Sequence, residues 1–157
     1  MSWSKGVDVV EDLLVRGHLE RVPADPDEAA YLLERARQHL ATAKREAQQD
    51  PEIAYDALYA AARKALTAVL RHQGLRPTRQ GGHEAVIAAA EAQLVPPAGS
   101  ILRPYRRLRN QRAKGDYLAS DGAIHPEDVE ADLPATKAIV EAAAQVLPHM
   151  PVFVPRR

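Results

Sequence analysis

Cysteine is absent from the 157-residue chain. That excludes disulfides, a thiolate nucleophile and any cysteine-based zinc site, and it is compatible with a reducing, cytoplasmic setting. Aromatic residues are scarce, at 4%. No run of Val, Ile, Thr and aromatics alternates with the period of two expected of a half-buried strand. No segment has the length and apolarity of a membrane span, so no membrane contact is expected, and the N-terminus shows no signal-peptide pattern. The histidines at 18, 39, 72, 83, 125 and 149 lack metal-ligand spacing. Phosphate-binding and dinucleotide Gly-rich loops, a His-Glu-x-x-His pair and a nucleophile elbow are also missing. No metal or cofactor is expected.

What is present is alanine. Hydrophobic residues make up 46% of the chain, and an Ala- and Leu-rich composition suits closely packed helices. Formal net charge is zero, with 21 basic and 21 acidic residues. The average hides an asymmetry: between Ala57 and Gly115 stand eleven Lys/Arg and two acids, Glu84 and Glu91. A basic middle with acidic flanks gives a dipolar field able to attract an anion.

The periodicity predicts an all-α fold: an up-and-down antiparallel bundle of four to five helices with an extra short N-terminal helix. Residues 1–24 read as that helix plus an arm, with Val9, Val10, Leu13 and Leu14 on one side, Gly17 as the stop, and Trp3 and Leu19 as anchors. Residues 25–148 form the bundle, and residues 149–157 an extended tail. Asp25-Pro26 and Asp50-Pro51 are helix starts, each an acid able to cap followed by a proline at the first helical position. The first core helix shows Ala29, Leu32, Ala36, Leu40, Ala43 and Ala47 as its apolar stripe; the second shows Ala54, Ala57, Ala61, Ala65, Ala68 and His72 and stops at Gly74. A basic loop over 75–82 leads to a third helix from His83 to Leu94. The fourth carries Leu102, Tyr105, Leu108 and Arg112 on one side and ends near Lys114-Gly115. A turn-rich loop at 120–124 precedes the last helix, whose stripe Pro134 interrupts, predicting a kink or second start there.

Three constellations could carry chemistry. Arg103–Lys114 packs six basic residues into about three helical turns. Arg106, Arg109 and Asn110 share one side, while Arg112 lies beside the apolar stripe and needs an anionic partner, Asp56 or Asp116, or a ligand. Arg63-Lys64 is the second group, with Arg71 and His72 two turns on. The third is Gly81-Gly82-His83 at a helix start, where free N–H groups can hold an anion and His83 has a suitable pKa for a general base. Against each stands a structural reading: a solvated or ion-paired face for the charges, and a tight turn for the glycines.

The stretch from Ala54 to Leu70, then Gln73-Gly-Leu-Arg-Pro-Thr78, Gly81-Gly-His83, and Arg109-Asn110 with Asp116-Tyr117, taken in that order over residues 26–147, resemble the HEPN (higher eukaryotes and prokaryotes nucleotide-binding) superfamily. The resemblance implies a helical bundle, homodimers, and pairing with a small nucleotidyltransferase-type protein. It also implies RNA or nucleotide as ligand and a toxin–antitoxin-like setting. Many such proteins are metal-independent ribonucleases, with a motif of Arg, four to six residues, then His. Here Arg109-Asn110 matches the start, but His would fall at Lys114, Gly115 or Asp116. A second register runs from Arg112 to Tyr117, with Tyr117 closing the motif. The catalytic candidates are therefore Arg109, Arg112, Tyr117 and His83; the ligand-binding candidates are Arg63, Lys64, Arg106, Asn110, Lys114 and Asp116. The expected role is binding of RNA, nucleotide or a partner protein through a basic cleft. The alternatives are an active metal-independent endoribonuclease toxin and a non-catalytic dimerisation module.

Overall fold

Helix α3 (Pro51–His72) is the axis of the fold, because nearly every side of it is apolar. The computed structural model describes residues 3–95, 98–117 and 123–156, with backbone alone at 115–117. Before α3 come α1 (Val7–Val15), strand β1 (Leu19–Arg21) and α2 (Pro26–Glu46); after it come strand β2 (Leu75–Pro77), α4 (Gly82–Leu94), the single turn α5 (Gly99–Leu102), α6 (Pro104–Tyr117) and α7 (Pro126–Val146).

The two predicted starts are built as read. Asp25 Oδ1 accepts from the Glu28 N–H at 3.0 Å and Asp50 Oδ1 from the Ile53 N–H at 3.2 Å, each satisfying one orphan donor of its helix. The last helix uses the reverse half of a capping box, with the His125 N–H donating to Asp128 Oδ2 at 2.8 Å. Buried alanines on α2 (29, 36, 43) and α3 (54, 57, 61, 65, 68) let these two helices pack closely as an antiparallel pair. α6 and α7 lie against other sides of α3, and α1 crosses α4. The core gathers Leu58, Leu66, Leu70, Ile87, Leu108 and Ile139, all essentially inaccessible. Five longer helices and the short α1 give the bundle that the periodicity predicts.

Several expectations are corrected. The arm and the basic loop are not strand-free: Leu19–Arg21 pairs antiparallel with Leu75–Pro77. Three-residue strands are too short for alternation to register, which is why the pattern missed them. Leu32 packs against the core as read but is only partly buried, while its neighbour Leu33 is the buried leucine of α2. Pro134 neither ends nor restarts α7, which runs unbroken from Pro126 to Val146. α6 continues to Tyr117. The tail after a short 3-10 turn (Leu147–His149) is extended, yet Met150 and Phe153 are buried. Most of the loop expected at 120–124 lies outside the described residues, as do Pro96 and Pro97.

A buried amide pair ties α4 to the end of α3, and the backbone of its two residues holds the N-terminal and C-terminal segments. Gln73 and Gln93 exchange hydrogen bonds at 2.6 and 3.1 Å. The backbone carbonyl of Gln93 accepts from Trp3 Nε1 at 3.3 Å, and the backbone carbonyl of Gln73 accepts from the Phe153 N–H at 2.8 Å.

Candidate functional site

Between Ala54 and Leu70, the residues of α3 that are not fully buried are Asp56, Ala60, Arg63, Lys64 and Thr67. They fall on one helical stripe. α2 packs on α3 and α7, while α4 and α6 pack on α3, and α2 makes no substantial contact with α4 or α6. The stripe is thus the floor of a groove, with α2 as one wall and α4 and α6 as the other. Two cavities lie away from this groove: one of about 830 Å³ beside Glu11, Val15 and Arg156, and an apolar one of about 540 Å³ beside Trp3, Leu66 and Val146.

His83 stands on the α4 wall because the turn before it is tied down. Thr78 Oγ1 donates to the Gly17 carbonyl at 2.5 Å and accepts from the Gly81 N–H at 3.1 Å, while the Gly82 N–H donates to the Thr78 carbonyl at 2.8 Å. Gly81 passes so close to β1 that a Cβ there would meet the His18 carbonyl oxygen at 2.0 Å. Two of the N–H groups expected to hold an anion are therefore already used within the chain. The glycines make the turn, and its product is the placement of His83.

The imidazole meets α3 directly, at a buried tyrosine beside the floor: His83 Nδ1 and the Tyr59 hydroxyl are 2.7 Å apart, and the Tyr105 hydroxyl donates to Tyr59 at 3.5 Å. In one tautomer Tyr59 donates to Nδ1; in the other Nδ1 donates to Tyr59 and Nε2 keeps its lone pair. Burial, followed by the charges of Arg63, Arg109 and Arg112, lowers the His83 pKa from its usual value, so the ring is neutral at pH 7. Burial pushes the Tyr105 hydroxyl far up, which keeps it a donor. The Arg112 guanidinium sits over the Tyr59 ring, 5.6 Å from its centre. Arg63 Nε is buried and has no hydrogen-bond partner.

Most of α6's charge is compensated internally. Arg106 reaches Glu84 at 2.8 Å and Glu91 at 3.2 Å; Arg109 reaches Glu84 at 2.8 Å; Arg112 reaches Asp56 at 3.3 Å. Arg107 pairs with Asp132, which also accepts from the Tyr55 hydroxyl at 2.6 Å. Of the two partners foreseen for Arg112, Asp56 is in place. Arg112 is only half-buried, so proximity to the apolar stripe did not require full desolvation.

The structure therefore brings together Arg63, His83, Arg109 and Arg112, which the sequence had placed in three separate groups. Lys64 faces the opposite wall, where its Nζ donates to His39 Nε2 at 2.6 Å on α2. Arg106 belongs to the ion-pair cluster on the rim, and Asn110 and Lys114 stand exposed on α6 outside the hydrogen-bonded group. The side chains of Asp116 and Tyr117 lie outside the described residues. Sequence reasoning missed Tyr59, although Asp56, Tyr59 and Arg63 at helical spacing already marked one polar face on an otherwise apolar helix. It also missed His39, which looked like an isolated histidine because its partner is 25 residues away.

Fold and site together define an all-α bundle with a cation-lined groove over its central helix. Residues 29–146 match the family model of the HEPN domain. The chain belongs to the HEPN family. No curated protein and no solved structure matches it. Among the described residues, no helix is long and apolar enough to cross a membrane, and no cluster of His, Asp and Glu is suited to a metal ion.

Proposed function

We propose that this HEPN protein binds phosphate groups of RNA or a nucleotide at Arg63, His83, Arg109 and Arg112. The observation that carries the reading is Arg63. Its Nε is buried without a partner, and among the described residues no carboxylate lies within ion-pair distance of it. A buried donor on a cation is costly unless something accepts from it, and a phosphate oxygen is the natural acceptor for a guanidinium. Arg109 and Arg112 flank the position, their charge reduced by Glu84 and Asp56. As part of the same reading, the protein acts as a homodimer in a toxin–antitoxin-like system and pairs with a small nucleotidyltransferase-type protein. The family resemblance supports that setting.

Fluorescence anisotropy with labelled RNA, and calorimetry with mononucleotides, test the site. Arg63→Gln is expected to weaken binding about tenfold or more, since a hydrogen bond to a charged group contributes roughly 1.5–3 kcal/mol. Absence of binding by the unaltered protein at low salt would sink the reading.

One observation favours a second reading, metal-independent cleavage of RNA: a neutral imidazole stands among three arginines. With its proton on Nδ1 and directed to Tyr59, His83 Nε2 can take the proton of a ribose 2′-hydroxyl. The resulting alkoxide attacks the adjacent phosphorus, the P–O5′ bond breaks, and the leaving oxygen is protonated by water, giving a 2′,3′-cyclic phosphate. Arginine would stabilise the charge on the phosphorane. This reading predicts cleavage in the presence of chelator, abolished by His83→Gln and by Arg109→Ala. Intact RNA after prolonged incubation with the unaltered protein would exclude it.

A further inference from the structure

Among the described residues, no carboxylate pairs with Arg35, His39 or Lys64 on the α2 side of the groove as the acids beside α6 do with its arginines. His39 and Lys64 meet nitrogen to nitrogen at 2.6 Å, and the charges acting on them are those of Arg35 and Arg63. Among the described residues, neither Arg35 nor Lys64 has an acidic partner within ion-pair distance. α2 and α3 run antiparallel: Asp25 at the start of α2 meets Arg71 at the end of α3, at 3.8 Å. Arg35, one turn before His39, therefore lies alongside the turn of α3 that follows Lys64. Arg63 acts on both groups, on His83 across one wall and on His39 across the other. The cations form a continuous path that crosses the floor at Arg63. The floor from Asp56 to Thr67 is about 16 Å long, more than one nucleotide needs.

We infer that Arg35, His39 and Lys64 form a second phosphate subsite, so that the groove holds a phosphodiester strand and not a lone mononucleotide. The ammonium–imidazole pair is the distinctive part. A Lys donating to a neutral His spends one of three donors and leaves two for a phosphate, and the ring that accepts at Nε2 keeps its Nδ1–H as a further donor. Neighbouring cations with no carboxylate repel one another in the empty groove, and an anion spanning them relieves that repulsion. An open groove, unlike an enclosed pocket, lets a strand pass through.

The inference rests on the reading of Arg63 and its neighbours as a phosphate site, and the test separates the two. Binding of a dinucleotide and of an RNA of about ten nucleotides is measured over a series of salt concentrations. The longer RNA is expected to bind about tenfold or more tightly than the dinucleotide, with a steeper salt dependence. Arg35→Glu combined with His39→Gln should remove that gain and lower the salt slope by roughly 0.7 for each phosphate no longer engaged, leaving dinucleotide binding as it was. If the double variant melts early, Arg35→Gln alone carries the same comparison. Unchanged binding of the longer RNA by a folded variant would overturn the second subsite and leave the first standing. Failure of the unaltered protein to bind either ligand would remove both.

Discussion

The Tyr59 hydroxyl and His83 Nδ1, 2.7 Å apart, join a residue from the centre of α3 to one at the start of α4. Through that contact the axis of the bundle and the Thr78 turn hold a neutral imidazole in a field of arginines. Tyr59→Phe should therefore loosen the ring without unfolding the protein. Its stability cost is expected to be about 1 kcal/mol, the net value of a hydrogen bond, measured by urea denaturation. The His83 proton resonances should move at the same time; an unchanged imidazole spectrum would show that Tyr59 does not orient it.

Stability should depend on pH through the histidines. His83 and His39 both have pKa values lowered by burial and by nearby cations. Below an unfolded value near 6.5, the unfolded chain takes up these protons before the folded one does. Stability is thus complete above that pH and falls as the pH drops through it. The urea midpoint is expected to decline between pH 7.5 and 5.5, less so in His83→Gln. A profile identical in the variant would refute the assignment to His83.

Asp56 lowers the positive charge of the groove by pairing with Arg112. Both side chains are partly exposed, so Asp56→Asn should change stability by less than about 1 kcal/mol. The same change strengthens the field felt by an anion and should tighten RNA binding at low salt, with the difference vanishing as salt rises. Weaker binding would mean that Asp56 instead positions Arg112 for the ligand.

Gly81→Ala tests how His83 is placed. The added carbon would lie 2.0 Å from the His18 carbonyl oxygen, a backbone atom that cannot step aside without moving β1. We expect a loss of about 2 kcal/mol or more, in the range of overpacking changes, with the turn displaced and RNA binding reduced. Wild-type stability would show that β1 yields freely.

The buried Gln73–Gln93 pair can be broken from one side or both. Gln73→Leu strands the Gln93 amide and should cost about 1–3 kcal/mol. Gln73→Leu with Gln93→Leu should cost less than the sum of the single changes, since neither amide is then left unpaired. Strict additivity by calorimetry would count against their coupling.

The long helices α2, α3 and α7 were legible because each has both a start signal and a long stripe. Asp25-Pro26 and Asp50-Pro51 announce α2 and α3, and the alanine spacing that follows is sustained over several turns. Pro134 misled because a proline inside a helix is usually read as a break, whereas α7 accommodates it without interruption. The strands were invisible at three residues each. Basic charge was legible, and so was the pairing of Arg112 with Asp56, but the rest of its compensation was not. Glu84 and Glu91 are only two acids amid eleven bases, yet the fold places both against α6, and the acids from outside that stretch, Asp56 and Asp132, complete the pairing. The site's centre consequently moves from α6 to Arg63. The contact between His83 and Tyr59 depends on how α4 crosses α3, which no local pattern encodes.

The amide pair at Gln73 and Gln93 has a kinetic consequence. Trp3 hangs from the backbone carbonyl of Gln93 and the Phe153 N–H from the backbone carbonyl of Gln73, while Arg156 reaches back to Glu11. Both ends of the chain share one anchor, between the two helices whose far ends frame the groove. A protease or a pulling force acting at either end meets that anchor before it meets the bundle. Detaching one end should weaken the hold on the other, so the tail and the N-terminal helix should exchange their amide protons at a common rate.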